Sequence, residues 1–155
     1  MAIVKIETLI GAPIERCFDL ARDIDFHVKS LGSTGERAVE GRTTGLIGLG
    51  ESVTWEGHHL GMTRRFTSKI TRFDRPRYFQ DQMMKGAFAS FVHDHRFLAR
   101  GDSTLMTDVV FFRSPAGLIG ALVDAVFMAR YLRRLLDARA RAIRDEAESR
   151  AIGPR

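Results

Sequence analysis

Cysteine is all but missing: Cys17 is the only one among 155 residues. No intramolecular disulfide and no cysteine-based metal centre can form. Cys17 itself stands between Arg16 and Phe18 in a helical pattern and is expected to pack as a small hydrophobe. Long apolar runs are missing too, none approaching the roughly 20 residues that span a bilayer. The opening MAIVKIETLIGAPIER lacks a basic region followed by a long apolar stretch and a cleavage site, so an unexported, cytoplasmic protein is expected. Lysine is scarce, with arginine outnumbering it twenty to four. No Gly-x-Ser-x-Gly, Cys/His pair, dinucleotide fingerprint or P-loop is present. The Gly41–Gly50 stretch GRTTGLIGLG lacks the Lys-Ser/Thr ending of a phosphate loop and reads as a flexible connection.

What is present is an ordinary globular composition, 45% hydrophobic and 28% charged. A chain of this size buries roughly 70% of its unfolded surface, enough for a core that includes a cavity. One domain over residues 1–150 is expected, with a frayed tail at 151–155. The net charge of +5 does not point to nucleic acid once it is located. Residues from Arg130 onward carry eight Arg against Asp137, Asp145, Glu146 and Glu148, and residues 1–129 are nearly balanced. The terminal arginines, Arg139 among them, are interleaved with acids and read as a solvated helix face. No nucleic-acid partner is expected; membrane or protein docking through this Arg-rich helix is a third reading of function, and the oligomeric state is open.

The pattern along the chain gives the architecture. Residues 2–10 alternate apolar and polar and read as a strand. Gly11-Ala12-Pro13 breaks it, with Pro13 placed for a first helical turn. Ile14, Cys17, Phe18 and Ala21 then recur at helical spacing, and Asp23 is placed to cap a second short helix ending near Gly32. Six strand-like runs follow, around 35–43, 50–57, 61–72, 77–84, 89–99 and 103–113, which implies an antiparallel meander. After Ser114-Pro115, expected as cap and first residue, one long helix puts Leu118, Leu122, Ala125, Ala129, Leu132, Leu136 and Ile143 on one face. The fold class is α+β, in the order β-α-α-β6-α, with the helix laid against the sheet.

Turn positions convert these runs into a register. A two-residue turn at Gly101-Asp102 pairs Leu98 with Leu105, Phe97 with Met106, His95 with Asp108, His93 with Val110 and Phe91 with Phe112. The preceding hairpin best matches Phe79 with His93 and Asp81 with Phe91, which brings Met83 to the same face. Val53 with Phe66 and Trp55 with Arg64 extend it further. The resulting face is broad and apolar, with Trp55, Phe66, Phe79, Met83, Phe91, Phe97, Met106 and Phe112 as its wall. Within it lies a polar island of Asp81, His93, His95 and Asp108, with Arg64 nearby. Buried ionisable groups cost several kcal/mol unless paired, so these must bond one another, line a wet cavity, or both. A self-satisfied structural network and the lining of a ligand cavity are close rivals. General acid/base catalysis by His93 or His95, oriented by Asp108, is an alternative. His-x-His beside two carboxylates is compatible with metal ligation, but nothing else marks a metal preference, and neither metal nor cofactor is expected. His58-His59 is expected in an exposed hairpin turn, and His27 at one end of the cavity.

The element order is that of the helix-grip fold. The chain resembles the START-like superfamily, also called SRPBCC or polyketide cyclase/dehydrase-like, which includes the birch-pollen-allergen type. The residues that carry the likeness run from Ile10 to Phe18, from Gly48-Leu49-Gly50 to Trp55, and through Phe79-Gln80-Asp81-Gln82-Met83 with Gly86-Ala87-Phe88. They continue in His93-Asp94-His95-Arg96-Phe97, Thr104-Leu105-Met106-Thr107-Asp108 and Pro115-Ala116-Gly117. The resemblance, which is closest to small bacterial ligand-binding members, implies a sheet wrapped around the long helix and a cavity for a lipid, quinone, polyketide-like or other hydrophobic molecule. It also implies that only some branches are enzymes. The expectation is a ligand-binding protein, with a cyclase, dehydratase or hydrolase as the alternative. The island Asp81, His93, His95 and Asp108 would orient a carbonyl or hydroxyl of the ligand.

Overall fold

In a computed structural model that describes residues 1–149, seven strands form one antiparallel sheet. The expected frayed segment 151–155 lies outside the described residues. The strands are β1 (Ala2–Ile10), β2 (Arg37–Gly41), β3 (Ser52–His59), β4 (Met62–Asp74), β5 (Tyr78–Lys85), β6 (Ser90–Arg100) and β7 (Ser103–Arg113). Their order is β1-β7-β6-β5-β4-β3-β2, a meander closed at one edge by the first strand. Helices α1 (Ile14–Ala21) and α2 (Ile24–Ser30) join β1 to the meander, while α3 (Gly117–Val123) and α4 (Ala129–Ser149) follow β7.

Local chemistry explains the short helices. Pro13 immediately precedes α1 and its carbonyl accepts from Arg16 and Cys17, while Asp23 accepts from the Phe26 amide, 3.1 Å away, to cap α2. Helix α1 buries Cys17, whose thiol is pushed up by burial, and Phe18. The Phe18 ring meets Phe73, Phe79 and Phe97 edge-on at 5.3 to 5.4 Å. Helix α4 is tied to the same end: Glu148 accepts from the Gly11 amide, Arg16 donates to the Ala147 carbonyl, and Ala140, Ile143 and Ala147 are buried against the core. Leu132, further back, packs with Val4, Val110 and Phe112.

Several expectations need correction. Between β5 and β6, Phe79 faces His95 and Asp81 faces His93; between β3 and β4, Val53 faces Ser68 and Trp55 faces Phe66. Both registers differ from the expected ones by two residues. The β3–β4 turn falls at Leu60-Gly61, both with positive φ, one residue later than the assumed pairing requires. A two-residue slip preserves the side-chain period, so the inward face is as expected although its cross-strand neighbours are not. The His93–Val110 and His95–Asp108 pairs stand as read.

The C-terminal helix is not one continuous α-helix. A π-helical turn, Asp124–Met128, separates α3 from α4, and α3 starts after Ala116 with no capping bond from Ser114. Instead Asp124, buried, accepts from the Ser114 amide at 2.8 Å. Gly120 lies so close to Pro115 that a β-carbon there would fall 2.2 Å from its carbonyl oxygen. The residues that turn inward are therefore Gly120 and Asp124, and Leu118, Leu122 and Ala125 point to solvent. The i→i+5 bonds of the π turn add a residue, which rotates the apolar stripe out of phase with α4.

The Gly41–Gly50 connection is not free. The Gly45 amide donates to Asp25, the Gly45 carbonyl accepts from Ile24, the Ile47 amide donates to the Arg22 carbonyl, and Ile47 is buried. His58 and His59 end β3 rather than occupying the turn, and His59 faces inward.

Candidate functional site

Helix α4 leans on the β1–β7 side of the sheet and leaves room over β3 to β6. Two adjoining cavities fill that room. The inner one, about 160 Å³, is bounded by Val53 and Trp55, by Ser68 and Ile70, by Phe79 and Asp81, and by His93 and His95, with Leu136 and Arg139 of α4 as its roof. The outer one, about 340 Å³, runs from Trp55 and His59 past Arg64 and Phe88 to Met128, Tyr131 and Leu132. Glu36, Trp55, Phe66, Phe91 and Leu135 belong to both and form the waist between them.

The polar island closes on itself at the floor of the inner cavity. His93 Nε2 lies 2.9 Å and His95 Nδ1 2.9 Å from the same Asp108 oxygen. That oxygen is aligned with the His93 nitrogen only, so His95 Nδ1 is buried without an aligned acceptor. On the other side Asp81 Oδ2 is 2.8 Å from His95 Nε2 and 3.8 Å from His93 Nδ1. The two imidazole centroids lie 3.7 Å apart with the rings inclined by 34°, and Phe79 stacks on His95 at 4.1 Å. Asp108 is held well below the usual carboxylate range: burial would raise it, but its bonds to His93 and His95 outweigh that. Asp81 is lowered in the same way, chiefly through His95. Burial and the neighbouring His95 depress His93. Burial also opposes a charge on His95, but two carboxylate partners overcome it and raise its pKa.

A second polar set lies at the waist. Glu36 sits 2.8 Å from His27 Nε2 and 3.3 Å from His59 Nε2, and His59 Nδ1 is 2.7 Å from the Tyr131 hydroxyl. Despite burial, these bonds pull Glu36 down to about 2. Of this set only His27 is placed at the cavity by sequence reasoning. Glu36 and Tyr131 sit in segments without a distinctive pattern. Arg139, expected on the solvated face, is half-buried, roofs the inner cavity and donates to the Ala21 carbonyl. Its spacing is the available signal: three residues after Leu136 and four before Ile143, it lies on the buried stripe.

Of the expected site residues, Trp55, Phe66, Phe79, Asp81, Phe91, His93 and His95 line the inner cavity, and Arg64 lines the outer one. Asp108 stands behind the imidazoles. Phe97, Met106 and Phe112 line neither cavity, because they are fully enclosed in packing among β1, β6, β7 and the helices. Met83, near the end of β5, lies beyond both.

A sheet that grips a C-terminal helix and leaves an internal cavity defines the helix-grip class, also seen in Bet v 1-like proteins. The chain matches the model of the polyketide cyclase / dehydrase and lipid transport family over residues 1–148, and it belongs to that family. Similar solved structures include Ara h 8.0201, at 15% identity and TM-score 0.72, covering 96% of this chain and 98% of that one. The ginseng major latex-like protein 151 from Panax ginseng aligns at 17% identity and TM-score 0.67, covering 94% and 97%. TTHA0849 from Thermus thermophilus aligns at 19% identity and TM-score 0.71, covering 92% and 97%. At these identities the likeness is one of fold. No curated protein sequence matches the chain significantly. Among the described residues no helix is long and apolar enough to cross a membrane.

Proposed function

We propose that the protein binds one amphipathic small molecule, with its apolar body in the outer cavity and an uncharged polar head, a hydroxyl or carbonyl, in the inner one. The observation that carries this reading is the adjacency of the two spaces: a largely apolar cavity shares Trp55, Phe66 and Phe91 with a smaller one floored by Asp81, His93 and His95. The outer volume falls within the roughly 300–1,000 Å³ typical of ligand sites. Burial of methylenes supplies affinity at about 0.8 kcal/mol each, and the island supplies orientation. Lipids, quinones and polyketide-like molecules all have this two-part character.

Trp55 is the only tryptophan and walls both cavities, so its emission reports occupancy directly. Titration with a series of unbranched fatty alcohols should change Trp55 emission, with affinity rising about fourfold per added methylene until the cavity is full. Leu135→Trp, which fills the waist, should abolish binding of the apolar fluorophore N-phenylnaphthylamine while the fold is kept. Protein that takes up neither alcohol nor fluorophore, and carries nothing by native mass spectrometry, would overturn the reading.

A further inference from the structure

We infer that Asp81, His93 and His95 form a binding site for a divalent first-row transition ion. One ligand atom from each lies within 4.8 Å of the others. The sheet places them without help from any loop: Asp81 faces His93 across the β5–β6 ladder, and His95 is the next inward residue on β6. Each imidazole turns one nitrogen toward Asp81 and the other toward Asp108. An outer carboxylate that takes the far N–H of a histidine fixes its tautomer and aims the near nitrogen at a metal. Asp108 does this for His93, and it lies 2.9 Å from His95 Nδ1, where a small turn of that ring would align it as well.

The distances suit an ion. Metal–ligand bonds of about 2.0–2.2 Å separate neighbouring donors by roughly 3.0–3.5 Å. The Asp81–His95 pair, at 2.8 Å, need open only slightly, and the Asp81–His93 pair, at 3.8 Å, need close only slightly. Of the two guanidiniums that line the cavity, Arg22 is paired with Asp19, which leaves Arg139 against two carboxylates and favours a dication electrostatically. Imidazole and carboxylate donors together select the zinc, cobalt and iron(II) range over magnesium or calcium. The ion's open side faces the inner cavity.

The test uses untagged full-length protein stripped with chelator and titrated with Co²⁺ alone. Visible d–d absorption should saturate at one equivalent and be bleached by Zn²⁺. Asp81→Asn, which keeps the side chain's shape, and His93→Gln should weaken Co²⁺ binding by at least a hundredfold, and Asp108→Asn by 10- to 100-fold. Circular dichroism confirms folding, and Asp81→Asn decides alone if His93→Gln does not fold. No band with the unmutated protein overturns the proposal. So does a band that survives Asp81→Asn, including one abolished by His58→Asn, which would assign the ion to the surface. Alcohol binding by the metal-free protein is a separate readout, so the ion site and the proposed function fail independently.

A different observation carries a second inference. Leu118, Ile119, Leu122, Val123, Val126 and Phe127 are all exposed, Leu118 to 91%. At spacings of one and four they form a single stripe over three turns, while the opposite face is pinned by Gly120 and Asp124. Patches of this kind mark docking sites. Arg113 precedes the stripe and Arg130, Arg133 and Arg134 follow it, all exposed. The geometry points to an anionic lipid surface: apolar side chains enter the headgroup boundary and the arginines meet lipid charge. A second copy would bring the same cations face to face. The stripe leads directly into Met128, Tyr131 and Leu132 at the outer cavity wall.

Co-sedimentation with phosphatidylglycerol-containing vesicles should therefore exceed that with pure phosphatidylcholine and fall with salt. Arg133→Gln with Arg134→Gln should weaken it about 30-fold, and Leu118→Ser with Phe127→Ser should remove it. Equal binding to both vesicle types, no binding, or a concentration-dependent dimer that buries the stripe would overturn it.

Discussion

His27 lies flat against Trp55, ring centroids 4.1 Å apart and planes inclined by 27°, and its Nε2 reaches Glu36 at 2.8 Å. The contact ties α2 to β3 across the waist of the cavity and fixes a buried carboxylate there.

That carboxylate predicts an acid-sensitive fold. His59 meets it from β3, held in turn by the Tyr131 hydroxyl of α4, and Arg139 and Asp81 act on His27 electrostatically. Burial holds His27 below its ordinary value, and Glu36 is pulled from 4.5 to about 2. For both groups the unfolded chain binds more protons in the titrating window, so stability rises with pH there. The His27 contribution is complete above about pH 6.5 and is lost below it. The Glu36 contribution is complete above about pH 4.5 and is lost as pH falls toward 2, on the order of 3 kcal/mol. Urea unfolding at stepped pH should show this loss, and Glu36→Gln should flatten the part below pH 4.5. An unchanged acid slope in E36Q would show that Glu36 does not hold this linkage.

Asp108 predicts a large structural effect. Its carboxylate is 3% exposed and serves two imidazoles. Removing one member of a buried charged network costs about 3–5 kcal/mol, because the partners stay buried and lose their counter-charge. Asp108→Asn should lower stability by that amount in denaturant unfolding. A change under about 1 kcal/mol would show that the island is solvated rather than closed.

Phe112 separates wall from core. Sequence reasoning assigns it to the ligand wall, but it is fully buried with Val4, Val110 and Leu132, and Phe88 meets it edge-on at 5.8 Å. Phe112→Ala should cost about 3–5 kcal/mol of stability. Phe91→Ala, at the waist and partly exposed, should cost less stability and more ligand affinity. Comparison of unfolding and alcohol titrations for the two variants checks the division.

Much of this is legible in the sequence because strand faces obey a period of two. The Gly101-Asp102 turn alone puts His93, His95 and Asp108 on one side, and errors of two residues elsewhere leave Asp81, Phe79 and Trp55 on that side as well. What parity cannot give is depth. Phe97 and Phe112 share the inward face with Phe91, but Phe18 of α1 covers Phe97 and Leu132 of α4 covers Phe112, which leaves Phe91 beside a cavity. The α3 stripe misleads for a related reason. Helical periodicity marks an apolar face without saying that anything lies against it, and the inward side is set instead by a glycine's close approach and the Asp124–Ser114 bond. Glu36, His59 and Tyr131 come together from three elements distant in sequence, a meeting that only the folded sheet creates.

The charge pattern of the two cavities predicts how an acidic ligand would sit. In chelator-treated protein the inner floor holds Asp81 with Asp108 behind it, against one raised histidine and Arg139, while Arg22, also in the lining, is paired with Asp19. A carboxylate placed there meets two like charges in a low-dielectric space, whereas a hydroxyl can donate to them. Arg64 lines the outer cavity, exposed, and bonds only the Met62 sulfur, with no carboxylate partner among the described residues. A fatty acid should therefore enter tail first and leave its carboxylate at Arg64, while the matching alcohol needs no such contact. Arg64→Met should weaken the acid by about 3- to 10-fold, the scale of one exposed charge pair, and leave the alcohol nearly unchanged. Equal losses for both ligands, or a tighter acid in the variant, would place the carboxylate at the histidines instead.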